Sequence, residues 1–250
     1  MTTKQIALVT GANKGIGFAT ARQLGERGMT VLVGARDTDR GQAAEKALRE
    51  NGADAHFIQL DVTDDESVAR AAKRISDEFG RLDILVNNAG IAAINRLEPP
   101  SGTSLDLLRE VYETNVFGVV AVTNALLPLL RQAPAARIVN VSSEVGSLAI
   151  MSDPTHPLYP FISITYPSSK TALNMVTTMY AKELRDSSIK VNAANPGYCA
   201  TDLNNNEGFR TPEQGAEVTV HLATLPDDGP HGQLWGFLMD GKGSYGVVPW

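Results

Sequence analysis

Residues 6–18 read Ile-Ala-Leu-Val-Thr-Gly-Ala-Asn-Lys-Gly-Ile-Gly-Phe, and the architecture can be worked out from this segment. The apolar run Ile6–Thr10 predicts a buried strand, which leads straight into a segment of helical periodicity. Glycines in the intervening turn let backbone N–H groups approach an anion, and the helix N-terminus adds partial positive charge. The turn therefore predicts a cradle for a dinucleotide pyrophosphate, with an ordinary strand-to-helix turn as the alternative. Its candidate residues are Gly11, Asn13, Lys14, Gly15, Ile16 and Gly17.

Short β-branched runs alternate with longer segments of helical periodicity along the rest of the chain. The predicted strands are Ile6–Thr10, Thr30–Val33, Ala55–Leu60, Ile84–Asn87, Arg137–Ser142, Lys190–Asn195 and Leu234–Leu238. The predicted helices are Gly17–Arg27, Thr38–Asn51, Glu66–Phe79, Leu105–Leu130, Lys170–Asp186 and Pro212–Leu225. This alternation predicts an α/β protein with a single doubly wound, Rossmann-type parallel sheet of about seven strands and helices on both faces.

Composition excludes several classes of protein. The 250 residues carry 28 acidic and 22 basic side chains, a net charge of −6 without a basic cluster, which argues against a nucleic-acid partner. The lone Cys199 cannot form an internal disulfide, and four scattered histidines predict no metal site. The most apolar stretch, residues 116–130, is interrupted by Pro128 and falls short of a membrane span. With no signal peptide at the N-terminus, we expect a cytoplasmic protein without membrane attachment.

The one marked shift in composition lies at residues 152–160, which contain Pro154, Pro157 and Pro160. Prolines at this density exclude a regular helix or a central strand and predict a stiff loop. We interpret the loop as part of an insertion around residues 144–165 within one domain that spans residues 1–250.

The end of the second predicted strand bears on the choice of cofactor. Enzymes that bind the unphosphorylated dinucleotide usually place an acid there to accept from the ribose 2′-hydroxyl, but this chain has Ala35 followed by Arg36. Together with Lys14, Arg36 would suit the 2′-phosphate of NADPH. The alternatives are that both cations are solvated surface charges and that Asp37 accepts from the ribose.

A second constellation lies in the other half of the chain. Tyr166 and Lys170 are four residues apart and share one helical face, Ser143 ends a predicted strand upstream, and Asn115 lies in the helix before that. With these residues in place the chain resembles the short-chain dehydrogenase/reductase family, and within it the NADPH-dependent carbonyl reductases. The matching pieces are residues 10–17, Asp61-Val62, residues 87–90 (Asn-Asn-Ala-Gly), Asn115, Val141-Ser142-Ser143, Tyr166-x-x-x-Lys170 and Asn195-Pro196-Gly197.

The resemblance implies a role for each catalytic candidate. Tyr166 would be the general acid that protonates the carbonyl oxygen of the substrate as hydride arrives. Lys170 would favour the phenolate by its charge and bind the nicotinamide ribose. Ser143 would donate a hydrogen bond to the developing alkoxide, and Asn115 would hold a water that links Lys170 to solvent.

The resemblance also implies further contacts with the cofactor. Asp61 and Val62 would meet the adenine ring, and Asn88 and Gly90 would lie on the adenosine side, although Asn88 could equally be structural. The nicotinamide carboxamide would be held by Pro196, Gly197 and Thr201. Cys199, beside this turn, is expected to be a small buried filler.

Substrate contacts are expected from the insertion, from the segment after residue 90 and from a substrate loop around residues 198–211. The candidates are Ile94, Val145, Phe161, Tyr198, Leu203 and Phe209. For Tyr198, Leu203 and Phe209 in the substrate loop around residues 198–211, here called the lid, the alternative is that they only pack the lid itself.

The sequence thus predicts an NADPH-dependent reductase of small ketones and aldehydes. Alternatives are a 3-oxoacyl thioester reductase or hydroxysteroid-type dehydrogenase and, from another class, a dinucleotide-sensing regulator that binds cofactor without turnover. We expect a monomer rather than a dimer or tetramer, because the stiff loop before Tyr166 would obstruct the helices through which compact relatives associate. Residues 247–250 are apolar enough to dock on a neighbour or to join their own core.

Overall fold

The computed structural model describes residues 4–92, 98–239 and 242–250. The strands are β1 (Ile6–Thr10), β2 (Thr30–Ala35), β3 (Asp54–Gln59), β4 (Ile84–Asn87), β5 (Arg137–Val141), β6 (Lys190–Asn195), β7 (Leu234–Phe237) and β8 (Tyr245–Val247). The helices are α1 (Gly15–Glu26), α2 (Thr38–Glu50), α3 (Asp65–Phe79), α4 (Leu105–Tyr112), α5 (Gly118–Leu130), α6 (Leu148–Met151), α7 (Thr165–Glu183) and α8 (Pro212–Ala223).

All eight strands belong to one sheet in the order β3-β2-β1-β4-β5-β6-β7-β8. Strands β1 to β7 are parallel, and β8 pairs antiparallel with β7. The predicted doubly wound parallel sheet is therefore confirmed, with one strand more than expected. Strand order reverses beside β1, so the carboxyl ends of β1 and β4 open the crevice in which such sheets bind ligands.

The two faces of the sheet explain the continuous apolar runs. Leu8 and its neighbours Leu32 and Leu85 pack into one buried cluster, whereas Val9 and Val33 point into a second cluster on the opposite face. Each inner strand must therefore be apolar on both sides, as parallel strands covered by helices are.

The predicted helix 105–130 is divided in three. Between α4 and α5 lies one π-helical turn, Glu113–Phe117, in which Asn115 is fully buried. Such turns insert an extra residue into the helical ladder and are frequent at functional sites. The combined stretch is long and apolar enough to cross a membrane, with a mean hydropathy of 1.4, but half of the apolar window is buried inside this protein.

Helix α7 begins five residues earlier than predicted, at Thr165. Tyr166 therefore lies in the first helical turn with Lys170 one turn later. Pro167 is compatible with this position because the first turn of a helix does not use its backbone N–H groups. The Pro-rich residues 152–160 form consecutive turns, in agreement with the predicted loop.

The C-terminal segment folds onto the molecule's own sheet. Val248 is 1% exposed and packs with Ala193 and Leu234, and the Trp250 backbone oxygen accepts a hydrogen bond from the Ala149 N–H at 3.2 Å. Strand β8 was missed in the sequence because three residues, with Gly246 in the middle, are too few to show a strand pattern. The apolar tail therefore joins its own core.

Two adjacent valines test this packing. Val248→Ala should lower the free energy of unfolding by about 1–3 kcal/mol, because it removes two buried methyl groups and leaves a cavity. Val247→Ala is the matched control: Val247 is 56% exposed, and its truncation should cost less than about 0.5 kcal/mol. Urea denaturation of both variants measures the difference, and equal losses would contradict the docking of the tail.

Candidate active site

Ser143, Tyr166 and Lys170 meet at the carboxyl end of β5. Ser143 follows the strand by two residues, and its side chain lies close enough to the Tyr166 phenol to affect the pKa of that phenol. The Lys170 Nζ atom lies 5.4 Å from the centroid of the Tyr166 ring and donates to the Val141 backbone oxygen at 2.8 Å. The structure thus brings together the three residues predicted from the sequence.

Burial sets the protonation of this group. Burial raises the pKa of Tyr166 well above its ordinary value, against a smaller lowering effect of the Ser143 hydrogen bond. Burial also lowers the pKa of Lys170 to about 8. Burial, and not the expected stabilisation of the phenolate by Lys170, dominates the pKa of Tyr166. The phenol is therefore protonated at neutral pH.

Asn115 connects the loop after β4 to α7. Its Oδ1 accepts from the Ile91 N–H at 2.9 Å, and its Nδ2 donates to the Ile91 oxygen at 2.9 Å and to the Ser169 Oγ at 3.0 Å. Ser169 in turn donates to the backbone oxygen of Tyr166 at 2.7 Å. The Asn115 side chain therefore fixes the position of the helix turn that carries Tyr166.

Gly90 lies between these groups. A Cβ atom at this position would stand 3.3 Å from the Asn115 Oδ1 and 3.8 Å from the Lys170 Nζ. Gly90 is thus next to the catalytic candidates.

The glycine turn after β1 has the features that an anion requires. Gly11 and Gly15 have positive φ angles of 62° and 56°, which suit glycine. A Cβ atom on Gly17 would come within 2.5 Å of the Gly11 oxygen, so α1 can pack this closely only without a side chain. Lys14 occupies the N-cap of α1 without a side-chain cap, and the first turn holds no acid. Its N–H groups thus remain available to a phosphate.

The remaining cradle residues surround this turn. Asn13 is half-buried, and Ile16 packs on α8, where its Cδ1 would be 3.3 Å from a Cβ atom on Gly215. Asn88 holds the cradle to β4: its Nδ2 donates to the Thr10 oxygen at 2.9 Å and to the Gly11 oxygen at 3.2 Å. The structural role considered for Asn88 is therefore present.

At the predicted ribose end, Arg36 is exposed and Asp37 caps α2, accepting from the Arg40 N–H at 2.9 Å. Lys14 makes an ion pair with Asp202, with Nζ and Oδ2 2.8 Å apart. The hydrogen bond and charge of Lys14 lower the pKa of Asp202, and the charge of Arg40 adds to this effect. Neither Arg40 nor Asp202 was predicted, because only the fold brings α2, the cradle and the lid together.

Asp61 and Val62 follow β3. The Asp61 Oδ1 accepts from the Thr63 N–H at 3.0 Å and from its Oγ1 at 2.8 Å, so this carboxylate stabilises its own turn. Val62 packs against Gly118, where a Cβ atom would come within 2.8 Å of the Val62 oxygen.

Pro196, Gly197 and Thr201 form the turn after β6. The Cys199 Sγ donates to the Pro196 oxygen at 3.5 Å, and burial raises the pKa of this thiol to about 11, as expected of a buried filler. The Thr201 Cγ2 would be 3.4 Å from a Cβ atom on Gly15, so this turn faces the phosphate cradle.

The predicted substrate residues are only partly gathered. Phe209 contacts both Tyr198 and Phe237, with ring centroids 6.1 and 5.9 Å apart, and Leu203 is 37% exposed in the short helical turn Asp202–Asn204. Val145 lies on the turn after Ser143, and Phe161 is half-buried in the Pro-rich loop. Ile94 lies outside the described residues.

Sequence reasoning missed three buried polar residues beside this site. Arg210 donates to the Gln214 oxygen and the Tyr245 hydroxyl, both at 2.8 Å, and so anchors the end of the lid. Glu144 is 5% exposed, directly after Ser143, and Asn195 accepts from its N–H at 3.1 Å. For Glu144 the acid beside Ser143 could have been noticed, and Asn195 was marked by the Asn195-Pro196-Gly197 motif, whereas nothing in the sequence marks Arg210. Among the described residues there is no group of three or more His, Cys, Asp or Glu that could hold a metal ion.

Comparison with known proteins agrees with this geometry. The family described as short chain dehydrogenase matches residues 5–210. The short-chain dehydrogenase anuI of Penicillium roqueforti is 40% identical over 99% of this chain and 98% of its own length. Carbonyl reductase [NADPH] 1 of Sus scrofa is 36% identical over 98% and 94%. The crystal structure of NADPH-bound carbonyl reductase from chicken fatty liver superimposes with a TM-score of 0.84 at 27% identity and full coverage of both chains. The chain therefore belongs to the short-chain dehydrogenase family.

Proposed function

We propose that this protein reduces ketones and aldehydes to alcohols with NADPH. The observation that carries the proposal is the half-buried Tyr166 side chain beside Ser143, with Lys170 one helical turn later. A carbonyl oxygen placed between two hydroxyl donors is polarised by both, and one of them can transfer a proton. NADPH, when bound, supplies the hydride.

Tyr166 acts as the general acid. Its raised pKa keeps the proton on the phenol at neutral pH, which suits donation to the alkoxide that forms during reduction. Ser143 remains neutral and donates a hydrogen bond to the same oxygen, which stabilises the developing charge.

Lys170 supports Tyr166 by its position and charge. With a pKa of about 8, its ammonium is mostly protonated at neutral pH, beside the face of the Tyr166 ring. The positive charge would stabilise the phenolate once the proton has left, and one N–H bond is already directed to Val141. The nicotinamide ribose is proposed to accept another.

The dinucleotide is proposed to lie along the carboxyl ends of β1 and β4. The uncapped N-terminus of α1 would bind the pyrophosphate, and Thr201 with the Pro196–Gly197 turn would hold the carboxamide. Asp61, Val62, Asn88 and Gly90 remain proposed contacts on the adenosine side.

Two features favour the phosphorylated cofactor. Asp37 is engaged at the N-cap of α2, and the side chains of Lys14, Arg36 and Arg40 are cationic. These cations are proposed to meet the 2′-phosphate dianion, for which Lys14 would exchange its present partner Asp202. The NADPH named for the carbonyl reductase relatives supports the same choice.

Consumption of NADPH tests the activity directly. A panel of an aryl ketone, a β-ketoester, an aldehyde, a quinone and a 3-oxoacyl thioester should show turnover with the simple carbonyl compounds. Turnover only with the thioester would favour a 3-oxoacyl thioester reductase over the proposed substrate class. Cofactor binding without turnover of any compound in the panel would favour a dinucleotide-sensing regulator.

Tyr166→Phe should reduce kcat by roughly 10²–10⁴-fold while leaving NADPH affinity nearly unchanged, because only the proton donor is lost. Tyr180→Phe is the matched control on the same helix, where the hydroxyl only donates to Asn124. Steady-state kinetics and fluorescence titration with NADPH measure both effects. A Phe variant that kept more than about a tenth of the wild-type kcat would remove Tyr166 from the role of general acid.

The wild type should prefer NADPH to NADH by at least about tenfold in kcat/KM, or roughly 1.4 kcal/mol. Arg36→Asp should narrow or reverse this preference, because it deletes a partner of the phosphate and adds repulsion. Arg185→Asp, the same charge change at an exposed position after α7, should leave the ratio unchanged. Equal use of both cofactors by the wild type would show that Arg36 and the other cations of this region do not recognise the 2′-phosphate.

We also expect a monomer that resides in the cytoplasm. Strand β8 pairs with β7 and occupies its outer edge, while α6 and the Pro-rich loop precede α7. The strand covers the outer edge of β7, and we propose that the Pro-rich loop obstructs the helices through which compact relatives associate. Light scattering at micromolar concentration should give a mass near 26.7 kDa, and a multiple of this mass would refute the idea.

A further inference from the structure

The carboxyl group of Glu144 has no function in the proposed reaction, although it is placed beside it. Glu144 is the residue after Ser143 and begins a short helical turn, Glu144–Gly146, that packs against α7. Glu144 is 5% exposed, and its carboxyl group lies beside the side chain of Asn195. A carboxyl group buried to this degree is ordinarily paired with a cation.

No such cation is present in the part of the chain that the structure describes. The ion pairs among residues 4–92, 98–239 and 242–250 do not include Glu144. Because of this burial, the pKa of Glu144 is raised to about 7. The carboxyl group can therefore change its charge at neutral pH.

Asn195 connects Glu144 to the turn proposed to hold the nicotinamide. The Asn195 Oδ1 accepts from the N–H groups of Glu144 and Gly197 at 3.1 and 3.4 Å. Its Nδ2 donates to the Phe237 oxygen at 2.7 Å. One amide thus joins the Ser143–Glu144 turn to the Pro196–Gly197 turn, so the backbone of Glu144 lies beside the turn proposed to hold the nicotinamide.

We propose that Glu144 is the counter-charge for the oxidised nicotinamide, and that its carboxylate selectively stabilises NADP⁺ over NADPH. The inference rests on the proposed function, because it requires a nicotinamide dinucleotide in this site. The nicotinamide ring is neutral in NADPH and carries one positive charge in NADP⁺. When the ring carries its positive charge, Glu144 can lose its proton to solvent and become negative. The two charges cancel, so the net charge of the buried site is unchanged.

The sign of the pH effect follows from linkage. A positive ring beside Glu144 favours the carboxylate and lowers its pKa, so NADP⁺ binds better as pH rises through the neutral range. The neutral ring of NADPH has no such effect. If NADP⁺ lowers the pKa by one unit, its affinity relative to NADPH rises about fivefold between about pH 6 and pH 8. The 2′-phosphate titrates in both dinucleotides and cancels from the ratio.

The elements around the Glu144 turn carry other titratable and charged groups, and their contributions to the pH dependence must be distinguished from that of Glu144. Helix α7 presents Tyr166 and Lys170, the lid contributes Cys199 and Arg210, and the Trp250 carboxyl end lies against α6. Lys170, with a pKa of about 8, would also favour NADP⁺ as it loses its charge. Replacement of Glu144 alone removes its contribution and leaves these groups in place.

The experiment measures Kd of NADP⁺ and NADPH by calorimetry on the full-length protein at about pH 6, 7 and 8. For the wild type, the ratio of Kd for NADP⁺ to Kd for NADPH should fall about fivefold over this range. Glu144→Gln, which has nearly the same shape without the charge, should lose most of this fall. Glu144→Asp should keep part of it, and Glu183→Gln at the exposed end of α7 should keep all of it.

A fall of equal size in the wild type and in Glu144→Gln would overturn the proposal, and so would a wild-type ratio that does not change with pH. If the Gln variant does not fold, Glu144→Asp takes its place, because Lys170 also releases protons in the wild type. Binding of NADP⁺ at about pH 7 in buffers of different ionisation enthalpy should then release more protons, relative to binding of NADPH, in the wild type than in Glu144→Asp, and equal release in the two refutes the idea. Failure of both dinucleotides to bind would overturn the proposed function itself, and with it the role of Glu144.

Discussion

The hydrogen bonds from the Asn88 amide to the carbonyl oxygens of Thr10 and Gly11 join the two strand ends at the base of the site. They fix the glycine turn after β1 against the end of β4, at the point where the strand order reverses. Helix α1 can then start directly above the turn, because Gly17 presents no side chain to Asn88 or to the Gly11 oxygen. The direction of the uncapped helix N-terminus, and hence of any bound phosphate, depends on this one contact.

At the other end of the site, burial determines the protonation of the ionisable side chains. It raises the pKa values of Tyr166 and Glu144 and lowers that of Lys170, so each of these groups is pushed towards its neutral form. A site of this kind is poised for transfer of a proton and for a change in ring charge, because little electrostatic screening separates the groups. The Asn115–Ser169 hydrogen bond keeps the helix turn that carries Tyr166 in place during these changes.

The sheet could be predicted from the sequence because its alternation of apolar strands and helices is a local pattern. Tyr166 precedes Lys170 by one helical turn, but Ser143 was joined to them only by the resemblance to the family. Asp202 could not be predicted, and the contacts of Asn195 could not either, since their partners lie 188 and 51 positions away in the chain. The π-helical turn at Asn115 also leaves no visible pattern, because the shift of about 100° caused by one inserted residue cannot be seen where the following helix is apolar nearly all round.

A line of buried polar side chains beneath the site shows why this end of the sheet is so well defined. The Asn87 Nδ2 donates to the Asn140 Oδ1 at 2.9 Å, and the Asn140 Nδ2 donates to the Thr177 Oγ1 at 2.9 Å, which ties β4, β5 and α7 in one register. Ser142 adds a hydrogen bond of 2.6 Å to Asn174 on the same helix. Apolar side chains could slide past one another at little cost, but buried polar groups lose their partners when they shift. The position of α7, and therefore of Tyr166 over Ser143, is set by these hydrogen bonds more than by the surrounding apolar core.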